Sequence, residues 1–177
     1  MLVAYAEMMS AGATNGGRPL VLALTDHLPE VTLAPGEPLY EEGASEHSTM
    51  AVLVSGRLGV DAGGRRLPDI VVPGSFIGEV GALLGVARTV TVAAAEPSVV
   101  RIVGDPSALF GADPALALEL ARQLAARLSR LTAYLSDLRT QYADAEGHLE
   151  MVDAVLDRIA GRSAVEIDGG SDRSPDY

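Results

Sequence analysis

Between Phe76 and Ala93 the chain reads F-I-G-E-V-G-A-L-L-G-V-A-R-T-V-T-V-A, in which Gly78-Glu79 precedes Arg88-Thr89. These residue types suit a small phosphate ester. The first backbone amides of a helix lack intrahelical acceptors and lie at the positive end of its dipole, which favours an anion. Gly81 to Leu84 are placed to form such a turn. Gly78 allows the backbone to approach a ligand with no side chain between, and the Glu79 carboxylate accepts from a sugar hydroxyl. Arg88 supplies the formal charge, because its guanidinium fork can hold two phosphate oxygens at once, and Thr89 adds a hydroxyl donor. The competing explanation is an exposed Glu79–Arg88 ion pair, which stabilises by only ~0.2 to 1 kcal/mol. For Gly36, Gly43, Gly56 and Gly74 ordinary turn chemistry suffices, and they are left out of the site.

The elements that must position these residues can be read from the hydrophobic pattern. Residues 1–18 end in A-G-A-T-N-G-G-R-P, which breaks regular structure and separates a short N-terminal helix from the domain. A further short helix is expected within 19–29. From Val31 to Val103 brief β-branched runs are punctuated by Gly and Pro. V-T-L stops at Pro35-Gly36, M-A-V-L-V at Ser55-Gly56 and R-L-G-V-D at Gly63-Gly64, while V-T-V-A-A and S-V-V-R-I-V flank Glu96-Pro97. This spacing predicts an α+β chain built on a compact antiparallel β-roll or jelly roll. After Asp105 the period lengthens, with Asp113 as N-cap and Pro114 at the first helical position. Ala121, Leu124, Leu128, Leu131, Leu135, Leu138, Tyr142, Ala145, Leu149, Val152, Leu156 and Ile159 alternate spacings of three and four, as in a paired helix. Gly147 divides the run into a helix to about Glu146 and another over 148–160. The stripe has two uses, a seam with a second subunit or packing on the chain's own roll, and one helix can give a flank to each. The domain plan is an N-terminal extension (1–18), the β-roll (19–112), C-terminal dimerisation helices (113–162) and a polar, disordered tail (163–177).

Composition narrows the function. The chain has 177 residues, enough for one domain with a helical appendage. Thirteen Lys and Arg against 24 Asp and Glu give a net charge of -11, which disfavours nucleic acid and acidic membrane surfaces. Cysteine is absent, which excludes a disulfide framework and thiolate metal sites. The opening residues have neither a basic n-region nor a long apolar run, so the cytoplasm is the default compartment, with no membrane insertion. His27, His47 and His148 lack metal-ligand spacing, and no Ser-His-Asp or paired-carboxylate arrangement stands out. The expectation is a protein without a metal or cofactor and without enzymatic activity.

The cassette G-E-x8-R-T resembles the phosphate-binding cassette of the cyclic nucleotide-binding domain, the family of catabolite activator protein, protein kinase A regulatory subunits and cyclic nucleotide-gated channels. The resemblance extends through A-P-G-E-P-L-Y-E-E-G at 34–43, V-L-V-S-G-R-L-G-V at 52–60 and P-G-S-F-I-G-E at 73–79, and covers roughly residues 20 to 140. It implies that Glu79 accepts the ribose 2'-hydroxyl beside the Gly78 amide. Arg88 would pair with the exocyclic oxygens of a 3',5'-cyclic phosphate, helped by Gly81 and Thr89. Leu131 and Thr132 stand in the region that caps the base, although Leu131 fits a dimer seam equally well. Ala87 stands where the family often has proline, which implies a looser loop. The resemblance therefore points to a receptor, with cAMP slightly favoured over cGMP as ligand. It is expected to be a homodimer that signals to an effector protein and does not bind DNA. The alternative is a degenerate dimeric scaffold of the same fold that binds no nucleotide.

Overall fold

The computed structural model describes residues 14–15, 18–141 and 155, and side-chain environments for 19–138 and 155. In chain order the elements are β1 (Thr14–Asn15), β2 (Arg18–Pro19), α1 (Leu20–Leu24), β3 (Glu30–Leu33), β4 (Pro38–Tyr40), β5 (Met50–Ser55), β6 (Leu58–Ala62), β7 (Arg65–Ile70), β8 (Phe76–Ile77), α2 (Glu79–Leu84), β9 (Thr91–Ala94), β10 (Ser98–Val103), α3 (Pro106–Ala112) and α4 (Pro114–Gln141). Two four-stranded antiparallel sheets, ordered β3-β10-β5-β8 and β4-β9-β6-β7, make the expected roll. The chain divides into two compact units between Leu124 and Ala125.

Strand β5 explains the core. Successive side chains of a strand point to opposite faces, and both faces of this one are covered. Met50 and Val52 join Val21, Leu22, Phe76, Val103, Leu109, Leu116 and Leu120 in one buried cluster. Ala51 and Leu53 join Leu33, Leu58, Val60, Ile77, Val92, Ala94 and Val100 in the other. The first cluster joins the β3-β10-β5-β8 sheet to α1, α3 and the start of α4, and the second fills the space between the sheets. Phe76 and Ile77 split in the same way, so β8 is locked from both sides just ahead of Gly78.

Arg101 fastens α1 to this frame. Its side chain is buried; Nη1 donates to the Leu22 carbonyl at 2.7 Å and to Thr25 Oγ1 at 3.2 Å, while Nε and Nη2 each reach Glu30 Oε1 at 3.0 Å.

Several local expectations are revised. Thr14–Asn15 and Arg18–Pro19 pair as a two-residue ladder, so the Gly-rich stretch carries strand pairing. Strands β4 and β7 and the helix α3 were not anticipated: β7 is R-R-L-P-D-I, a mostly exposed charged edge without apolar alternation. Asp105 caps α3 by accepting from the Ala108 amide at 2.9 Å, and the long helix begins separately at Pro114. There the expected cap holds, with Asp113 Oδ1 accepting from the Ala115 amide at 3.0 Å. In the first unit Leu116 and Leu120 are buried ahead of the stripe, whose Leu124 is half-buried against the same cluster and whose Ala121 is exposed. Its other members from Tyr142 onward, the expected helix before residue 14 and the expected tail lie outside the described residues.

Candidate functional site

The cassette is built as one continuous turn. Strand β8 runs into Gly78, whose φ of 78° places it in the left-handed region, and α2 starts at Glu79. Gly78 caps this helix without a side chain, and the Ala82 amide makes the first bond back to the Gly78 carbonyl at 3.2 Å. The amides of the first turn therefore lie ahead of the intrahelical ladder. Gly85, also left-handed, ends the helix, and the chain returns through Arg88. That return is pinned by its backbone: the Arg88 amide donates to the Ala44 carbonyl at 2.9 Å, and the Arg88 carbonyl accepts from the Gly43 amide at 2.8 Å.

The Arg88 side chain points inward and is only 4% exposed. Nη1 donates to the Gly78 carbonyl at 3.0 Å; Nη2 donates to the Thr49 carbonyl at 2.8 Å and to Thr49 Oγ1 at 3.1 Å. The guanidinium carbon lies 3.8 Å from the centre of the Tyr40 ring, a cation over an aromatic face. These hydrogen-bond partners are neutral oxygens, so no carboxylate among them offsets the charge. They take three of the five guanidinium N–H groups, and Nε is buried with no partner among the described residues. Glu79, likewise 4% exposed, opens α2 at the end of the helix that favours a negative charge. A solvent-exposed ion pair is therefore not how either residue sits.

Residues 30–108 match the family model of the cyclic nucleotide-binding domain. The chain carries a cyclic nucleotide-binding domain. Among solved structures it is similar to a protein of a cyclic-GMP-dependent signalling pathway that regulates bacterial phytopathogenesis, at 25% identity and a TM-score of 0.54, over 67% of this chain and 97% of that one. The Thermus thermophilus catabolite activator protein shares the fold at 21% identity and a TM-score of 0.59, over 84% and 86%. A cAMP-binding acyltransferase from Mycobacterium smegmatis, solved in a mutant form, is 32% identical with a TM-score of 0.52, over 72% of this chain but only 41% of that one. No curated protein matches the chain in sequence.

Within this cyclic nucleotide-binding domain, Gly78 and Gly81 lie against the Arg88 side chain, and Glu79 follows Gly78 in the chain. A Cβ on Gly81 would stand 3.2 Å from the Val86 carbonyl oxygen and 3.4 Å from Arg88 Nη1, so glycine lets the helix and the returning loop close on each other. Thr89 is exposed beside them. Leu131 and Thr132 belong to the second unit, where Leu131 is exposed and the Thr132 hydroxyl donates to the Leu128 carbonyl of its own helix at 3.0 Å.

Three residues around the cassette escaped the sequence reading. Thr49 carries no motif, and its carbonyl works as hard as its side chain. Tyr40 stood inside a quoted segment, but as one strand residue among others. Gln123 was hidden in a helical stripe defined by its apolar members; its Nε2 donates to the Gly74 carbonyl at 2.9 Å and its Oε1 accepts from the Phe76 amide at 3.1 Å. This amide thus clasps the backbone on both sides of Ser75, immediately ahead of the cassette. No metal-binding group of His, Cys, Asp and Glu occurs among the described residues, and no described helix is long and apolar enough to cross a membrane.

Proposed function

We propose that the chain is a cyclic nucleotide receptor, with cAMP ahead of cGMP, in which ligand binding repositions the C-terminal helix and so signals to a protein partner. The observation that carries this is the buried charge of Arg88, held among neutral acceptors with Nε unpartnered. Burying a charge without a counter-charge is costly, and a ligand anion that supplies one gains correspondingly. The remaining Nε–H and second Nη1–H face that task, while the bonds to Gly78 and Thr49 preset the plane of the fork. Glu79 at the start of α2 accepts the ribose 2'-hydroxyl, which stays available in a 3',5'-cyclic phosphate. Gly81 and Thr89 complete the phosphate contacts. Leu131 and Thr132 are the candidates to cover the base.

The preference for cAMP draws on the more identical of two relatives of opposite kind, the cAMP-binding acyltransferase at 32% against the cGMP-pathway protein at 25%. In this reading the homodimer forms through the exposed apolar flank of α4, and the protein has no enzymatic activity. It works in the cytoplasm without contacting nucleic acid. One observation favours the alternative, a scaffold without ligand: Arg88 already has three hydrogen bonds and an aromatic face, so the loop holds its shape alone.

Calorimetric titration of nucleotide-stripped protein with cAMP and with cGMP separates the two. Saturable binding that Arg88→Ala weakens by about 2 to 5 kcal/mol establishes the receptor. Absence of binding to either nucleotide favours the scaffold or a different nucleotide as ligand.

A further inference from the structure

Arg88 does not hold its orientation alone, and its neighbour Tyr40 carries a feature that packing does not explain. The Tyr40 ring lies against the guanidinium, and a Cβ built on Gly78 would come within 2.7 Å of both Tyr40 Cε2 and Arg88 Nη1. The ring, the fork and the opening of the cassette therefore share one space. Yet the Tyr40 hydroxyl is buried and has no hydrogen-bond partner. Thr49 and Arg88 lie near enough to act on it weakly, but neither makes a hydrogen bond of ordinary geometry to it. Among the described residues, the two buried side-chain polar atoms without partners are Tyr40 Oη and Arg88 Nε, and they belong to this one stacked pair. A hydroxyl serving only the fold would be satisfied, and a phenyl ring would support the guanidinium equally well.

We propose that Tyr40 is a further ligand-binding residue: its ring holds the Arg88 fork in plane and its hydroxyl donates to an oxygen of the bound phosphate. This rests on the receptor reading and extends the site to a residue of β4, outside the G-E-x8-R-T cassette. Burial raises the phenol above its ordinary range, against smaller opposing effects of Thr49 and Arg88, so the group keeps its proton and acts as a donor. The anion then meets two donors that the fold itself leaves unused, Arg88 Nε–H and Tyr40 O–H, on a base made rigid by Gly78 and Thr49.

The test compares the full chain with Tyr40→Phe and Tyr40→Leu, titrated with cAMP and cGMP and melted without ligand. Tyr40→Phe is expected to melt no lower than the parent, because it removes an unsatisfied hydroxyl, yet to bind roughly 10-fold more weakly. Tyr40→Leu, which also removes the ring, is expected to bind more weakly still. The chain has five Tyr and no Trp, so ligand should perturb the tyrosine absorption of the parent, with a smaller change in the Tyr40→Phe protein. Unchanged affinity in Tyr40→Phe overturns the proposal and leaves the receptor reading intact. A lower melting temperature for Tyr40→Phe also overturns it, by showing that the hydroxyl serves the fold. If the parent binds neither nucleotide, the receptor reading falls and this proposal falls with it.

Discussion

At the residue scale, Gly78 is where chain direction, ligand access and the Arg88 fork meet. Its φ of 78° is poorly tolerated by L side chains, and its absent Cβ leaves room for both Arg88 Nη1 and Tyr40. Gly78→Ala is therefore expected to cost about 1 to 3 kcal/mol of stability, read from urea denaturation, and to weaken nucleotide binding beyond that loss by displacing the guanidinium. Equal loss in the folded protein's affinity and in that of a neutral turn glycine such as Gly36→Ala would argue against the coupling. Gly36 is the fitting control because it is also left-handed but has nothing within 4 Å of where a Cβ would stand. The spacing of Gly78, Glu79 and Arg88 stood out in the chain, because a left-handed glycine, an acceptor and a bidentate cation form an uncommon set. What was illegible is who holds Arg88. Backbone carbonyls such as those of Gly78 and Thr49 are present at every residue, so sequence cannot mark the two that matter.

At the element scale, α4 is tied to the cassette by one polar side chain among apolar ones. Gln123 pairs with Gly74 and Phe76, and Phe76 lies in the same cluster as Leu116 and Leu120. Gln123→Leu keeps the size of the side chain but leaves the Phe76 amide and Gly74 carbonyl without their partner. The expected cost is about 1 to 3 kcal/mol, with faster amide exchange at Phe76 and Ile77 than at β6. Uniform exchange across the roll would show that the clasp is not local. The strands most easily read were those with both faces or one face in the core, such as β5 and β10, because burial imposes a pattern. Edge strand β7 has no such constraint: its Arg66 serves ion pairs, with Asp61 at 3.0 Å and with Asp69 at 2.8 Å, and charge pairing leaves no period. The separation of α3 from α4 was equally hidden, because Asp105-Pro106 and Asp113-Pro114 are the same signal twice and only one was taken as a helix start.

At the scale of the whole molecule, the apolar side chains of α4 change their use along its length. Leu116 and Leu120 are buried within the first unit, whereas Leu128 and Leu131 in the second are 49% and 47% exposed. A dimer seam in the second half predicts that the parent sediments as a dimer and that Leu128→Glu with Leu135→Glu sediments as a monomer, with the roll melting as before. A monomeric parent would remove the dimer from the proposed mechanism. The anchoring of α1 by Arg101 bears on where the domain starts. The family match begins at residue 30, yet Val21 and Leu22 are core residues and the Leu22 carbonyl and Thr25 hydroxyl hold a buried guanidinium. A fragment begun at the edge of the family match would uncover Val52, Phe76 and Val103 and strip two acceptors from Arg101. The smallest piece fit for isolation therefore starts ahead of Leu20, and a truncation chosen by family boundaries alone would report the loss of a foundation as though it were the loss of a receptor.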